Sequence, residues 1–340
     1  MSGNAVFHYT DTMILSVCGV DAPRVITSDE FDVRLADTYE RVRLRPGLLQ
    51  GLAGITERRW WPLDVSFSDA AAMAGAKALA EAGIDPARVG LLIDTSVARA
   101  HLEPSAAVAV HHALGLPTDC INFDLANACL GFLNGMQLAA TMIDAGRIDY
   151  ALVVDGEGTR HTHEMTLERL ARPETTREDV LAQFATLTLG SGAAAMVLGR
   201  ADAHPDGHRF LGGVMRSATE HHELCIGDLE SMRTDAKGLL DAGVALGQAV
   251  WADARDEFEW ADMDCYIAHQ VSQVHTRAMC RALDLDVDRV PLTFPTRGNM
   301  GPAAVPFTLA AQADRLDTGD RVLLVGVGSG LNACFAEVVW

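Results

Sequence analysis

Cys129 stands where an apolar, β-rich run, Ile121-Asn122-Phe123-Asp124-Leu125, gives way through Ala126-Asn127-Ala128 to a helical pattern of Leu133, Met136, Leu138, Ala139 and Met142. A thiol at the first turn of a helix faces unpaired backbone N–H groups and the positive end of the helix dipole. That setting favours the thiolate and makes Cys129 a candidate nucleophile toward a thioester carbonyl. A buried structural cysteine is the competing reading, because free cysteine is among the most buried residue types. Three further segments weigh against it. Ala268-His269-Gln270-Val271-Ser272 follows an apolar strand-like run. Thr296-Arg297-Gly298-Asn299-Met300-Gly301-Pro302-Ala303 brackets an asparagine with glycines ahead of a helix, and Val325-Gly326-Val327-Gly328-Ser329-Gly330-Leu331 is a flexible turn between apolar strands. Ligands of open α/β sheets bind beyond the carboxyl ends of strands, so all three segments are expected to converge with Cys129 on one cleft.

The elements that must bring these segments together read as two similar series. Strands are predicted at 13–20, 89–95, 120–124, 150–155 and 193–198, then at 210–217, 263–268, 290–294, 321–327 and 334–339. Helices are predicted at 68–82, 105–114 and 130–145, then at 239–257, 274–283 and 305–316. Near-continuous apolar strands alternating with helices indicate sheets covered on both faces, a duplicated α/β architecture. Turn composition at His204-Pro205-Asp206-Gly207-His208 places the break so that 1–205 carries the cysteine and 206–340 the histidine and asparagine. Residues 160–185, charged and containing Arg172-Pro173-Glu174, read as an insertion that caps a site or joins a subunit contact.

With 340 residues, 49% hydrophobic and 21% charged, the chain has the composition of an ordinary globular protein. A formal net charge of −19 hardly leaves the basic face that nucleic-acid phosphates require. It leans away from acidic acyl carrier proteins and toward coenzyme A thioesters, which need a few local cations, although solubility alone accounts for it equally well. No apolar run reaches the roughly 18 residues of a membrane span, and Met1-Ser2-Gly3-Asn4-Ala5 lacks the character of a secretory leader. A cytoplasmic protein, not integral to a membrane, is expected. Cys18, Cys120, Cys129, Cys225, Cys265, Cys280 and Cys334 are odd in number and lack a Cys-x-x-Cys pair, which argues against disulfides and zinc. His161-Thr162-His163 has no third ligand at useful spacing and reads as a solvated loop, so no metal is expected.

Taken in order, Asn127-Ala128-Cys129-Leu130-Gly131-Phe132, His269-Gln270, Gly298-Asn299-Met300-Gly301-Pro302-Ala303 and Gly328-Ser329-Gly330 resemble the Cys-His-Asn set of ketoacyl-acyl-carrier-protein synthase III in the thiolase superfamily. Leu102-Glu103-Pro104-Ser105, Arg216-Ser217-Ala218-Thr219-Glu220 and the ending Ala336-Glu337-Val338-Val339-Trp340 are similar to the branch that condenses two fatty acyl-CoAs as the first step of bacterial long-chain olefin synthesis. The resemblance implies a thiolase fold, with duplicated βαβαβαββ halves in five αβαβα layers. It also implies a homodimer, fatty acyl-CoA substrates, no cofactor, and downstream olefin-pathway enzymes that take the product. In this reading Cys129 accepts one acyl group, and the backbone N–H groups of Cys129 and of the Gly328-Ser329 turn hold its oxyanion. His269 and Asn299 hold the thioester oxygen of the second substrate.

Condensation without decarboxylation needs a base, which the resemblance assigns to Glu103, within its own subunit or across the dimer. Burial in an apolar surround, expected of Glu103, makes a carboxylate a stronger base. Arg58 and Arg59, beside Trp60 and Trp61, match a segment near the CoA channel, and an arginine pair flanking core tryptophans is the alternative. A malonyl-using synthase, for which Glu103 is dispensable, and acyl transfer or hydrolysis at Cys129 without a new carbon–carbon bond are the rival activities. A noncatalytic scaffold is disfavoured by the intact Cys129, His269 and Asn299.

Overall fold

Strands apolar on both faces organise the chain, and they need cover on both sides. The computed structural model describes residues 5–228 and 230–340, so residues 1–4, weighed above as a leader, lie outside the described residues. The first half contributes β1 (Thr12–Asp21), β2 (Leu91–Asp94), β3 (Ile121–Asp124), β4 (Tyr150–Glu157) and β5 (Gly192–Arg200). The second contributes β6 (His208–Ser217), β7 (Cys265–Ala268), β8 (Arg321–Gly328) and β9 (Asn332–Val339). Their spatial order is β7-β8-β9-β6-β1-β5-β4-β2-β3, with Val6–His8 paired to β6 off that path. β2 lies parallel to β3 and β4, and β5 is antiparallel to β4 and β1. Correspondingly, β7 lies parallel to β8, and β9 is antiparallel to β8 and β6. The same arrangement thus repeats on either side of a seam where Met13 of β1 pairs with Arg209 and Ile14 with His208 of β6.

Six helices supply the cover: α1 (Phe67–Ala82), α2 (Ala106–Leu114), α3 (Gly131–Asp144), α4 (Ala236–Ala254), α5 (Gln273–Leu283) and α6 (Ala304–Gln312). Strand alternation decides which core each side chain joins. Ala151 and Val153 of β4 and Val322 and Leu324 of β8 meet Leu133 and Met136 of α3 and Val305 and Leu309 of α6 in a central core. Leu152 and Val154 turn outward to α1 and α2, while Leu323 and Val325 turn outward to α4 and α5. The result is the five αβαβα layers of the thiolase fold, with α3 and α6 as the buried middle layer. Local signals set the helix ends: Ser66 and Asp69 form a capping box at the start of α1, and Gly83 closes it in the left-handed conformation at φ 64°.

Two expectations fail. Residues 290–294 form no strand, so the second half has no described counterpart of β3. The Gln270 side chain replaces the ladder there, with Oε1 accepting from Thr293 N at 2.9 Å and Phe294 N at 3.2 Å and Nε2 donating to Pro291 O at 3.2 Å. The supposed solvated loop at 161–163 is part of the helix Arg160–Leu170, which packs with Phe31 and Trp60 against the hairpin of Arg24–Thr27 and Glu57–Trp60. His163 is buried there, accepting from Trp60 Nε1 at 2.9 Å, and its other ring nitrogen lies 3.0 Å from Thr186 O. Burial, with Arg58 nearby, pushes its imidazole down to about 3 and leaves it neutral.

Among the described residues no helix is long and apolar enough to cross a membrane, and no group of three or more His, Cys, Asp or Glu is placed to hold a metal ion. The middle layer carries a direct test. Met136 is fully buried in α3, so Met136→Ala is expected to lower the unfolding free energy by about 2–5 kcal/mol in urea titrations. Leu63→Ala, at a side chain 82% exposed, is expected to stay within about 0.5 kcal/mol. Equal effects would contradict this layering.

Candidate active site

The carboxyl ends of β4, β7 and β8 and the approach to α3 open on one cavity of about 1240 Å³, whose walls include Cys129, Glu157, His269, Asn299, Gly328 and Ser329. The four segments singled out in the sequence do converge. After β3 the chain turns through Ala128, a non-glycine residue at φ 46°, and Cys129 precedes the N-cap Leu130 of α3. The thiol therefore stands just ahead of the first helical turn, not within it. A polar chain braces this elbow: Asn127 Nδ2 donates to Asn134 Oδ1 at 2.7 Å, Asn332 Nδ2 donates to Asn127 Oδ1 at 3.0 Å, and Ser217 Oγ donates to Asn332 Oδ1 at 2.6 Å. Asn332 opens β9, so the elbow is tied to the turn that carries Ser329. At Gly328 a Cβ would lie 3.1 Å from Leu130 N and 3.2 Å from Asn127 O, so glycine lets this turn close on the elbow.

His269 follows β7 and is fixed by its own N–H, which donates to Val325 O at 2.8 Å, while its buried Nδ1 has no hydrogen-bond partner. Burial, with His275 nearby, holds its imidazole down to about 4, so it is neutral at pH 7 and able to accept a proton. The backbone of Asn299 is held by Thr188 O at 2.9 Å and Gly190 N at 2.8 Å. Its Oδ1 accepts from Gly301 N at 3.0 Å, which leaves the Nδ2 protons as the donors this side chain offers to the cavity.

The electrostatics overturn the expectation of a ready thiolate. Burial first, then the carboxyl of Glu157, Cys225 and Asp155, push the Cys129 thiol up to about 12. Apolar walls and neighbouring acids outweigh the helix end. The resting pair is a thiol and a neutral imidazole, so the proton must leave as sulfur attacks. Glu157 is a cavity residue to which sequence reasoning assigned no role. Its carboxyl is raised to about 8 by burial, against the amides of Val97 and Ala98, which donate to it at 2.6 and 3.3 Å. Asp155, also buried, is raised well above the usual carboxylate range. The available signal was an acidic residue at the carboxyl end of an otherwise apolar strand.

Three sequence-based assignments need correction. Glu103 is exposed on the loop between β2 and α2 and does not line the cavity of its own chain, contrary to the expected apolar burial. Arg58 is fully buried, donating to Ser28 Oγ at 3.0 Å and Leu187 O at 3.1 Å with its guanidinium 4.6 Å from the Phe31 ring centroid, and so cannot touch CoA. Arg59 does not line the cavity either; it pairs with Glu57 at 3.2 Å. The arginine on the cavity wall is Arg99, 3.7 Å from Asp124.

Comparison with known proteins agrees with this arrangement. The family model of 3-oxoacyl-[acyl-carrier-protein] synthase III matches residues 123–218, and that of its C-terminal part matches 254–340. The acyl-CoA:acyl-CoA alkyltransferase of Xanthomonas campestris is 46% identical over 336 residues, covering 98% of this chain and 99% of that protein. The enzyme of the same name from Shewanella oneidensis is 37% identical over 349 residues, with coverage of 98% and 99%. A crystal structure of a Cys-to-Ser variant of Xanthomonas campestris OleA with bound lauric acid and lauroyl-CoA matches with a TM-score of 0.96 at 46% identity, covering 98% of this chain and all of that one.

The raised thiol and carboxyl give a measurable signature. Alkylation of Cys129 by iodoacetamide, followed on its peptide by mass spectrometry, is expected to be slow at pH 7 and to rise steeply with pH. Below about pH 8 Glu157 is largely uncharged; above it the charge opposes thiolate formation. Glu157→Gln is therefore expected to speed alkylation above about pH 8 and to change it little at pH 7. Superimposable profiles would show that Glu157 does not act on the thiol.

Proposed function

The chain belongs to the acyl-CoA:acyl-CoA alkyltransferase branch of the 3-oxoacyl-[acyl-carrier-protein] synthase III family, and on that premise we propose that it joins two fatty acyl-CoAs by a Claisen condensation without decarboxylation. The observation that carries this reading is the meeting of Cys129, His269 and Asn299 on one cavity. At about 1240 Å³ it exceeds the roughly 300–1,000 Å³ usual for small-ligand sites, as two long acyl chains demand.

Cys129 attacks the first thioester while neutral His269 takes the thiol proton, and CoA leaves as the acyl-enzyme forms. The backbone N–H groups of Cys129 and of the Gly328-Ser329 turn stabilise the tetrahedral oxyanion. The second acyl-CoA then loses an α-proton, and its enolate oxygen is held by the Nδ2 group of Asn299 and by His269. Carbon attack on the acyl-enzyme releases Cys129 and gives a 2-alkyl-3-oxoacyl thioester, which hydrolysis converts to the β-keto acid. Every step is acid–base or acyl-transfer chemistry and uses no metal or redox cofactor.

The α-proton needs a base, and we assign it to Glu103 acting in the cavity of a second copy. Its exposure, on a loop whose residues 97–102 line this chain's own cavity while Glu103 does not, supports this reading. Ile121 opens β3, the terminal strand of the sheet, whose free edge is suited to pairing with a second copy. The homodimer, the cytoplasmic setting and delivery of the β-keto acid to later enzymes of olefin synthesis belong to the same proposal.

Incubation with a single long-chain acyl-CoA, without malonyl-acyl-carrier protein, tests it by product mass spectrometry. Wild type is expected to yield the β-keto acid or its ketone, and Cys129→Ala neither. Glu103→Ala is expected to retain acyl-Cys129 yet lose condensation by about 10²–10⁴-fold. Free fatty acid alone, unchanged by Glu103→Ala, would establish hydrolysis instead.

A further inference from the structure

The loop that carries Glu103 leaves β2 after Asp94 and enters α2 at Ala106, and it is held at its two roots. At the first root Ser96 N and Oγ donate to Asp94 Oδ1 at 2.9 and 2.5 Å, and Gly156 N donates to Ser96 Oγ at 2.8 Å. The next two amides go to one side chain: Val97 N donates to Glu157 Oε1 at 2.6 Å and Ala98 N to Oε2 at 3.3 Å. At the far root Asp124 accepts from Ala106 N at 3.0 Å and Ala107 N at 2.9 Å, and Arg99 lies 3.7 Å from the same carboxylate. Among the described residues, 100–104 make no hydrogen bond. The direction in which Glu103 projects is therefore set by what holds 97–99 and 106–107.

Glu157 differs from the other anchors in its position. It ends β4 and lies on the wall of the cavity that contains Cys129, and its two oxygens grip a segment that itself lines that cavity over 97–102 before reaching Glu103, which does not. We propose that Glu157 is a positioning residue for the condensation, anchoring the first two amides of the 97–104 loop so that Glu103 of the same chain is presented to the cavity of a second copy. This rests on the reading of Glu103 as a base supplied across the dimer. It makes Glu157 act in the copy that gives the base, although the side chain itself sits beside the thiol of the copy to which it belongs. Replacement by glutamine keeps one acceptor oxygen for Val97 and turns an amide group toward Ala98, whereas alanine leaves both amides without this partner.

Mixed dimers assembled by co-expression with two tags and isolated by tandem purification test the assignment. The control pairs a Cys129→Ala copy with a Glu103→Ala copy; its one complete site takes Cys129 from the second copy and Glu103 from the first, and it is expected to condense acyl-CoA. Glu157→Ala is then added to one copy or the other. On the Cys129→Ala copy, which donates the base, the loss of condensation is expected to be about tenfold or more greater than on the Glu103→Ala copy, in keeping with the cost of misplacing a reacting group. Acyl-Cys129, measured by mass spectrometry, is expected to form in both arrangements, and Glu157→Gln on the donor copy to recover part of the loss. Both mixed dimers carry the same substitutions in total, so a general folding defect weighs on them equally. Equal losses, or a greater loss on the copy bearing Cys129, would overturn the inference while leaving the base in place. An inactive control mixture would instead overturn the reading of Glu103 as a base in trans, and this inference with it.

Discussion

The close contact between the Cys129 elbow and the β8–β9 turn is the constraint on which the remaining geometry depends. An elbow in the first half and a turn near the end of the second must meet on the wall of one cavity. The link from Asn332 to Asn127 spans 205 residues of sequence and joins the halves at the reacting centre. Ala128 is held in the left-handed region beside Asn127, whose side chain is fixed from two elements: Asn134 within α3 and Asn332 of β9. The glycine at 328 is a packing requirement of the same contact, since any side chain there would meet the backbone of the elbow.

That contact requires α3 to lie in the middle layer. A helix with Leu133, Met136, Ala139, Ala140 and Ile143 all buried cannot stand on the surface of a single sheet. It needs apolar cover on two sides, which the repeated strand arrangement supplies. Burial of α3 also places its amino end at the wall of the cavity, among apolar and acidic side chains, and this changes the chemistry. The nucleophile gains a fixed position and loses solvation, so its thiol rises instead of falling, and the acids at the end of β4 rise with it. The groups around the thiol, His269, Glu157 and Asp155, are largely uncharged at rest, and charge develops among them during reaction, where oriented N–H groups can meet it.

What was legible in the sequence follows from what is local. The sequence predicts the ends of α1, α2, α3 and α5 to within one or two residues because their apolar spacing and end signals belong to the segment itself. The strands at the sheet centre were equally plain, being apolar on both faces. Residues 290–294 looked the same but lack a ladder, because a glutamine twenty residues earlier in the chain takes their backbone groups, a replacement no periodicity records. Arg58 shows the same limit: its charge suggested a phosphate, but partners from Ser28 and Leu187 bury it. The protonation of Cys129 is not legible in the sequence, because the helix end is a local influence, whereas desolvation comes from walls contributed by distant segments.

The contrast between the two glutamates near the site explains why a base from outside the cavity suits this chemistry. Glu157 is already buried beside the thiol and is largely uncharged at pH 7, which disfavours it as the base for the α-carbon of a thioester, and ionising it would oppose the nucleophile. Glu103, by contrast, is exposed and lies outside the cavity of its own chain. The geometry of the loop fits the proposed division: Glu157 serves the backbone, as an acceptor for Val97 and Ala98, and the base role proposed above falls to the exposed residue five positions after Ala98.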